Sequence, residues 1–300
     1  MSDAARSESG LVVVDKPAGL TSHDVVARVR RLAGTRKVGH AGTLDPMATG
    51  VLVLGVERAT RLLGHLVLAD KVYDATIRLG VATTTDDAEG EVFATAPAGE
   101  LTEEDVLEAL SAFVGEVDQV PSAVSAIKVE GQRAYARVRA GEQVELEPRR
   151  VRIASIEVHG ATRRAAGAVL DVDVSLRCSS GTYVRAVARD LGRALGVGGH
   201  LTALRRTAVG PYLIEQAKTL EDLAGKLTLV PIAAAARQAF PAVDLTDESA
   251  ADVRVGRKLA VDLGWNGPVA LFAPDGAFLA LYEQVPGAGD PVARAVAVFV

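Results

Sequence analysis

Residues 39–50 read GHAGTLDPMATG, and their residue types constrain the backbone more than those of any other stretch. The three glycines can adopt positive φ or admit a close backbone approach, and Pro46 disfavours the α region for Asp45. Short apolar runs at residues 11–14 and 51–54 lie on either side and predict buried strands. The stretch therefore predicts a stiff loop that holds one carboxylate against a core. Taken alone, an Asp-Pro pair is more often an ordinary turn.

Composition indicates a folded globular protein. The 300 residues are 49% hydrophobic and 24% charged, which is enough for one large domain and a small one. The single cysteine, Cys178, cannot form an internal disulfide, and no secretory leader follows Met1. No apolar run approaches the roughly twenty residues of a membrane-spanning helix. We therefore expect a cytoplasmic protein.

The charges are distributed unevenly. The net charge of −5 argues by itself against a nucleic-acid binder, because phosphate neutralisation supplies much of the affinity of such proteins. However, residues 86–118 contain eleven acids and no Lys or Arg, and the basic residues form three separate groups that could line one cleft. Solvated helix faces are the simpler alternative for any one group. The groups are Arg28, Arg30, Arg31, Arg36 and Lys37; Lys128, Arg133, Arg137, Arg139, Arg149, Arg150 and Arg152; and Arg177, Arg185, Arg189, Arg193, Arg205 and Arg206.

Hydrophobic periodicity predicts three helices and several strands. Two positions stand out. Tyr73 lies on the apolar face of a predicted strand, where a core tyrosine is the simpler alternative. Arg185 lies in the first turn of a predicted helix, where the helix dipole disfavours a cation, although a routine ion pair is an alternative. The predicted helices cover residues 22–33, 101–113 and 182–195, and the strands cover residues 11–14, 51–54, 71–79, 151–158 and 169–177.

Residues 39–50 closely resemble the catalytic motif of the TruB-type tRNA pseudouridine synthases. The similarity continues in order through DKP at residues 15–17, KVYDA at 71–75, GQRAY at 131–135, CSSGTYVR at 178–185 and LRRT at 204–207. It implies an α+β fold with a mainly antiparallel mixed sheet flanked by helices. It also implies isomerisation of uridine 55 in the tRNA T-loop to pseudouridine, a reaction that needs no cofactor.

The resemblance also implies site residues. It assigns the catalytic carboxylate to Asp45 and places Arg185 against it, where the guanidinium would favour and orient the ionised form. Tyr73 matches the aromatic residue stacked on the target base, and its hydroxyl is a candidate for proton transfer. His40 is implied to contact the RNA where the flipped nucleotide leaves a gap. The other candidate contacts are Tyr183 and Leu204 to the substrate, Lys16 to a phosphate and Asp87 to the loop, and a structural role is equally open for the last two.

We predict a catalytic domain over residues 1–236 and a small PUA-like RNA-binding domain over residues 244–300. The second contains short apolar runs at residues 269–272, 278–282 and 296–300, separated by turn residues. Residues 121–141 lack a clean period and are predicted to form a mobile insertion that contacts RNA. The expected partner is the T-stem-loop of tRNA, bound by a monomer without guide RNA or membrane.

Two alternatives stay open at this stage. A guide-RNA-dependent synthase of the dyskerin class is disfavoured by the short N-terminus and the modest C-terminal module. A non-catalytic RNA chaperone that folds the T-loop would use the same basic surface. The five histidines show no metal-ligand spacing, and Cys178 is interpreted as a small buried hydrophobe, so we expect no metal site. The sequence leaves open whether Asp45 attacks the sugar, attacks the base or assists proton abstraction from the sugar.

Overall fold

The computed structural model describes residues 8–122, 128–129, 132–133, 146–164, 168–287 and 291–300. Its strands are β1 Gly10–Lys16, β2 Val38–His40, β3 Thr49–Val56, β4 Lys71–Leu79, β5 Val81–Thr83, β6 Val92–Thr95, β7 Gly115–Gln119, β8 Lys128–Val129, β9 Gln132–Arg133, β10 Arg149–Arg164, β11 Val169–Cys178, β12 Gly199–Val209, β13 Tyr212–Leu213, β14 Val230–Pro231, β15 Ala242–Asp244, β16 Val269–Phe272, β17 Phe278–Gln284 and β18 Ala293–Val298. Its α-helices are α1 Ser22–Leu32, α2 Leu63–Leu66, α3 Glu103–Ser111, α4 Val184–Ala194, α5 Leu220–Gly225, α6 Ile232–Ala239 and α7 Asp247–Arg254. Short 3₁₀ helices cover Glu57–Leu62 and Ile214–Gln216.

The main sheet has ten strands. Eight run in the order β14–β1–β3–β12–β4–β11–β10–β7, while β2 pairs with β3 and β13 pairs with β12. Strand β12 pairs with β3 in parallel, through Arg205 with Thr49 and Arg206 with Gly50. The other pairs between these strands are antiparallel. The predicted fold class, a mainly antiparallel mixed sheet flanked by helices, is confirmed.

The alternation along β4 separates its side chains between two environments. Tyr73 and Ile77 are buried, whereas Asp74 between them is exposed. Helices α1, α3 and α4 bury Val25, Val106 and Val187 in the same cluster as the apolar face of β4. Because successive side chains of a strand point to opposite faces, the helices cover the face of the sheet that carries Tyr73.

The helix N-termini differ in a way that matters for the site. Thr21 accepts a hydrogen bond from the Asp24 N–H, and the Asp24 carboxylate accepts one from the Thr21 N–H, which forms a capping box at α1. Thr102 caps α3 in the same way. Helix α4 has Tyr183 as its N-cap and no side-chain cap of this kind. Its first turn therefore depends on contacts from elsewhere in the fold.

A second sheet, in the order β15–β16–β17–β18, forms from residues 242–298. The three apolar runs predicted there form β16, β17 and β18, although β18 begins at Ala293 rather than at residue 296. Phe272, Phe278 and Phe299 share a hydrophobic cluster with Leu11 of the main sheet. The two sheets therefore share part of their core, and the division into domains at residues 236 and 244 stays a prediction.

Much of the predicted insertion at residues 121–141 lies outside the described residues. In its described part, Lys128–Val129 pairs with Gln132–Arg133. In the part of the chain that the structure describes, no helix has both the length and the apolar character needed to cross a membrane.

Candidate active site

Residues 41–48 connect β2 to β3 and carry Asp45. The hydroxyl of Ser22, at the start of α1, donates to the Leu44 carbonyl at 3.1 Å and accepts from the Leu44 N–H at 2.9 Å. On the other side of Asp45, the Gly19 N–H donates to the Pro46 carbonyl at 2.8 Å. Backbone groups on both sides of the carboxylate are therefore fixed, as predicted for a stiff loop.

Lys16 also fixes this loop. Its side chain is completely buried, and its ammonium donates to the carbonyls of Pro17, Leu20 and Pro46 at 2.7–3.2 Å. Burial lowers the pKa of Lys16 to about 8, although the charge of Asp45 opposes this shift. An ammonium has three N–H donors, and these three carbonyls account for them. These contacts favour the structural alternative for Lys16, and its phosphate contact stays a prediction.

Two glycines allow the loop to approach its neighbours. Gly42 and Gly50 have φ of +93° and +99°, which side chains with a Cβ rarely adopt. At Gly50 a Cβ would lie 2.2 Å from the carbonyl oxygen of Arg206 on β12. Glycine at residue 50 therefore permits the close parallel contact between β3 and β12.

Arg185 binds Asp45 with two hydrogen bonds. Its Nε donates to Oδ2 and its Nη2 donates to Oδ1, each at 3.0 Å. The side chain of Arg185 is 4% exposed, whereas that of Asp45 is 34% exposed. The predicted pairing of these side chains is confirmed, and the carboxylate remains accessible from outside. A bidentate arginine fixes both the position and the plane of a carboxylate.

A second acid holds the same arginine. Oδ2 of Asp87 lies 3.6 Å from Nη1 of Arg185, which also donates to the Thr85 carbonyl at 3.0 Å. Asp87 is itself buried, and its Oδ1 accepts hydrogen bonds from the Thr85 hydroxyl and the Glu89 N–H. Asp87 thus acts on the Asp45 loop through Arg185, which favours a structural role, and its contact with the substrate stays a prediction.

Gln119 fixes the first turn of α4. Its side-chain amide donates to the Tyr183 carbonyl at 3.1 Å and accepts from the Tyr183 N–H at 2.8 Å. This pair replaces the missing side-chain cap and holds the backbone that precedes Arg185. Gln119 was not among the predicted site residues, because a contact across 64 residues leaves no local pattern.

A pocket of about 240 Å³ lies beside Asp45. Tyr73 and Leu204 provide buried walls, and Tyr183 and Arg185 line it as well. Burial raises the pKa of the Tyr73 hydroxyl, which keeps this phenol protonated at neutral pH. The structure therefore brings together five of the predicted site residues, although their roles stay predictions.

Two cations that we did not select, Lys71 and Arg206, also line this pocket. Both are almost completely buried. The alternation of side chains between the two faces of a strand could have identified them. Lys71 shares the face of Tyr73 two residues along β4, and Arg206 follows Leu204 by two residues on β12.

His40 lies at the end of β2 and does not line the pocket. Its ring packs edge-on against that of His23 on α1, with 5.6 Å between centroids. Burial, followed by the proximity of His23, lowers the pKa of His40. The ring is half-buried, and its predicted contact with RNA stays a prediction.

Four members of the third basic group have partners inside the protein. Arg185 and Arg206 are buried and line the pocket beside Asp45, Arg189 forms ion pairs with Asp86 and Asp190, and Arg205 pairs with Asp15. That all three groups line one cleft stays a prediction. The side chains of Lys128, Arg133, Arg137 and Arg139 lie outside the described residues.

Cys178 is buried, as predicted, and burial raises the pKa of its thiol to about 11. Among the described residues, no three His, Cys, Asp or Glu side chains are grouped so that they could hold a metal ion.

Three family descriptions match successive parts of the chain. Residues 30–184 match the N-terminal domain of the TruB family pseudouridylate synthases. Residues 185–232 match the tRNA pseudouridylate synthase B C-terminal domain, and residues 240–300 match the C-terminal part of tRNA pseudouridine synthase II.

Individual proteins show the same similarity. The tRNA pseudouridine synthase B of Arthrobacter sp. (strain FB24) is 58% identical over 292 residues, or 95% of each chain. That of Thermobifida fusca (strain YX) is 59% identical over 285 residues, which cover 94% of this chain and 97% of the relative. A crystal structure of a Cbf5–Nop10–Gar1 complex superposes with a TM-score of 0.73 at 27% identity, covering 97% of this chain and 85% of that one. This chain therefore belongs to the TruB family of pseudouridylate synthases.

Proposed function

We propose that this protein isomerises uridine 55 in the T-loop of tRNA to pseudouridine, with Asp45 as the catalytic carboxylate. Family membership and the name shared by its relatives, tRNA pseudouridine synthase B, support an isomerase that makes pseudouridine in tRNA. One observation carries the assignment of the site. Asp45 is held by a buried arginine beside a pocket walled by Tyr73 and Leu204.

The reaction rearranges one nucleotide without changing its composition. The bond from C1′ of the ribose to N1 of uracil breaks, the base rotates, and a bond forms between C1′ and C5. The hydrogen at C5 leaves as a proton, and N1 gains a proton. Electrons and atoms therefore balance within the nucleotide and the solvent.

The side chains around the pocket have distinct roles in this proposal. Asp45 is the nucleophile or the proton acceptor for the step at the sugar or base, and Arg185 holds its carboxylate in one orientation. Tyr73 stacks on the uracil, and its hydroxyl is the candidate for proton transfer. Leu204 and Tyr183 enclose the base, which must leave its stack to reach the pocket.

The protein acts as a cytoplasmic monomer without a guide RNA in this proposal. His40, outside the pocket, contacts the RNA where the target nucleotide has left its place. The sheet formed by residues 242–298 belongs to a PUA-like domain that adds RNA contacts, and the insertion at residues 121–141 adds others.

The test uses an unmodified tRNA transcript and the purified protein with no other RNA. Pseudouridine is mapped chemically along the transcript after incubation with wild type, Asp45→Asn and Asp173→Asn. Asp173 is the matched control, because its exposed carboxylate lies on the same sheet outside the 240 Å³ pocket and contacts the Thr76 hydroxyl. We expect modification at uridine 55 with wild type and Asp173→Asn, and none with Asp45→Asn, which still binds tRNA.

Each alternative predicts a different result. Modification at another uridine would refute the proposed position, and an active Asp45→Asn variant would refute the proposed carboxylate. A requirement for a second RNA would identify a guide-dependent synthase. A chaperone would fold the T-loop equally well with Asp45→Asn and would leave no pseudouridine. Light scattering of the free protein tests the monomeric state.

A further inference from the structure

Lys71 and Arg206 are two buried cations that line the pocket beside Asp45. Lys71 is 5% exposed and Arg206 is 1% exposed, and both line the pocket together with Tyr73. The Cζ of Arg206 lies 6.0 Å from the centroid of the Tyr73 ring. In the register of β4 and β12, Arg206 pairs with Tyr73, and Lys71 shares the face of Tyr73 two residues along β4.

Both cations contact backbone carbonyls. The ammonium of Lys71 donates to the carbonyls of Val67 and Ala69 at 2.6 and 2.7 Å. The guanidinium of Arg206 donates from Nε, Nη1 and Nη2 to the carbonyls of Val51, Thr43 and Gly42 at 2.7–3.3 Å.

These contacts do not use every donor. An ammonium has three N–H groups and a guanidinium has five. Lys71 therefore retains one N–H beyond its two carbonyl partners, beside a pocket that it lines.

No carboxylate lies within 4.0 Å of either cation among the described residues. By contrast, Arg185 and Arg189, which also line or approach the core, both have acidic partners. Burying a cation without a counter-ion is costly, and an apolar side chain of similar volume would avoid that cost. Lys16 is also a buried cation, but carbonyls use all three of its donors. Lys71 has a donor left beside a pocket, and this donor needs a reason beyond bracing carbonyls.

The chemistry of the proposed reaction supplies one. When the C1′–N1 bond breaks, its electron pair stays on the uracil ring and is shared by N1, O2 and O4. Fixed cations in a site that excludes water stabilise such a charge more strongly than water does, because they need no reorganisation. Asp45 and Asp87 cannot do this, since both are anionic and already paired with Arg185.

We propose that Lys71 and Arg206 stabilise the negative charge that develops on uracil as its glycosidic bond breaks, with Lys71 donating a hydrogen bond to the ring. This inference rests on the proposed function, because it needs uracil in this pocket. The bond to C5 then forms, the C5 proton leaves, and N1 gains a proton.

The charges around Lys71 are consistent with this role. Burial and the charge of Arg206 lower the pKa of Lys71 to about 8, while Cys178 and Asp70 oppose the shift. Lys71 is therefore a cation at neutral pH that sits in an unfavourable environment, and an anion placed in the pocket relieves it.

The test varies the stability of the leaving base. Single-turnover rates are measured with saturating protein on T-stem-loop RNA that carries uridine or 5-fluorouridine at the target position. Fluorine withdraws electrons and makes the uracil anion more stable, so bond breakage needs less assistance. Consumption of the target nucleoside is quantified after digestion of the RNA for wild type, Lys71→Met and Lys71→Arg, with exposed Lys226→Met as the matched control.

We expect Lys71→Met to lose about 10²-fold in rate with uridine, the size seen when one donor to a developing anion is removed. The loss with 5-fluorouridine is expected to be at least severalfold smaller, and Lys71→Arg should keep the wild-type ratio between the two bases. Lys226→Met should match wild type. Should Lys71→Met fail to fold, Arg206→Gln against Arg206→Lys makes the same comparison.

Equal losses with both bases, or no loss, would overturn the inference and leave Lys71 as a brace for the loop at Val67 and Ala69. These outcomes differ from failure of the proposed function, in which wild type would not consume uridine at position 55 at all.

Discussion

Replacing Arg185 by methionine removes one buried cation from two carboxylates, and the two should respond differently. The side chain of Asp87 is 4% exposed and that of Asp45 is 34% exposed. Without the guanidinium, water can hydrate Asp45 but cannot reach Asp87. Removing one partner of a buried ion pair costs about 3–5 kcal/mol because the other charge is left uncompensated. We expect Arg185→Met to lower the free energy of unfolding by that amount, chiefly through Asp87.

A second substitution separates stability from catalysis. Asp87→Asn in the Arg185→Met background removes the uncompensated charge, so the double variant should recover most of the lost stability. Its rate should stay about 10²–10³-fold below wild type, because Asp45 still lacks the two hydrogen bonds that orient it. Urea unfolding followed by far-UV circular dichroism gives the stability. Single-turnover pseudouridine formation gives the rate, and anisotropy with labelled T-stem-loop gives the Kd.

The rate of the double variant shows whether Arg185 acts on the chemical step or only on folding. If turnover returns together with stability, Arg185 serves folding alone and the charge-partner role is refuted. A loss of affinity as large as the loss of rate would also contradict it, since an orienting contact should act on the chemical step rather than on binding. The control is Asp87→Asn alone, which measures the effect of removing the Asp87 charge while Arg185 is present.

Three other predictions concern the pKa of Lys16, the backbone at Gly50 and the salt dependence of RNA binding. Because burial lowers the pKa of Lys16 from 10.5 to about 8, the unfolded chain binds more protons between these values, and stability should rise with pH there. The advantage of wild type over Lys16→Met in urea unfolding should grow by at most about 3 kcal/mol from pH 8 to 10.5, and a constant difference would contradict the shift. Gly50→Ala should lower the free energy of unfolding by more than about 1 kcal/mol, because residue 50 has a positive φ and its Cβ would clash with the Arg206 carbonyl. Gly64→Ala in α2 is the control, because a Cβ there has open space and should change the stability little. Affinity for T-stem-loop RNA should fall steeply between 50 and 200 mM salt if several phosphates are contacted, by about tenfold or more, and a flat salt dependence would exclude this.

Local patterns sufficed for many elements. The apolar alternation of Lys71–Leu79 predicted β4 with its bounds, and the helical period predicted α1, α3 and α4 to within two residues at each end. The misfit of Arg185 in the first turn of α4 pointed correctly to a partner, since no favourable helix-dipole contact explains it. These signals depend on residues within one or two turns of each other.

Other features depended on contacts that no local pattern records. Lys16 looked like a phosphate ligand at the end of a strand, but the structure encloses it with three carbonyls, one of them 30 residues away. Gln119 gave no signal, and the basic group that contains Arg206 looked like a solvated surface. Which charges are buried depends on how distant strands pair, and this information is spread over the whole sequence.

Neighbouring residues alone specify the stiff loop around Asp45, the alternation that buries Tyr73 and the motifs that resemble one family, because backbone preference and periodicity are local properties. Contacts between distant segments bring Arg185, 140 residues away, against Asp45, and they bring Lys71 and Arg206 into one pocket with Tyr73. Strand register explains the second arrangement. The parallel contact of β12 with β3 and the antiparallel contact of β12 with β4 place these charges within one pocket, and register is fixed by burial of the whole sheet face.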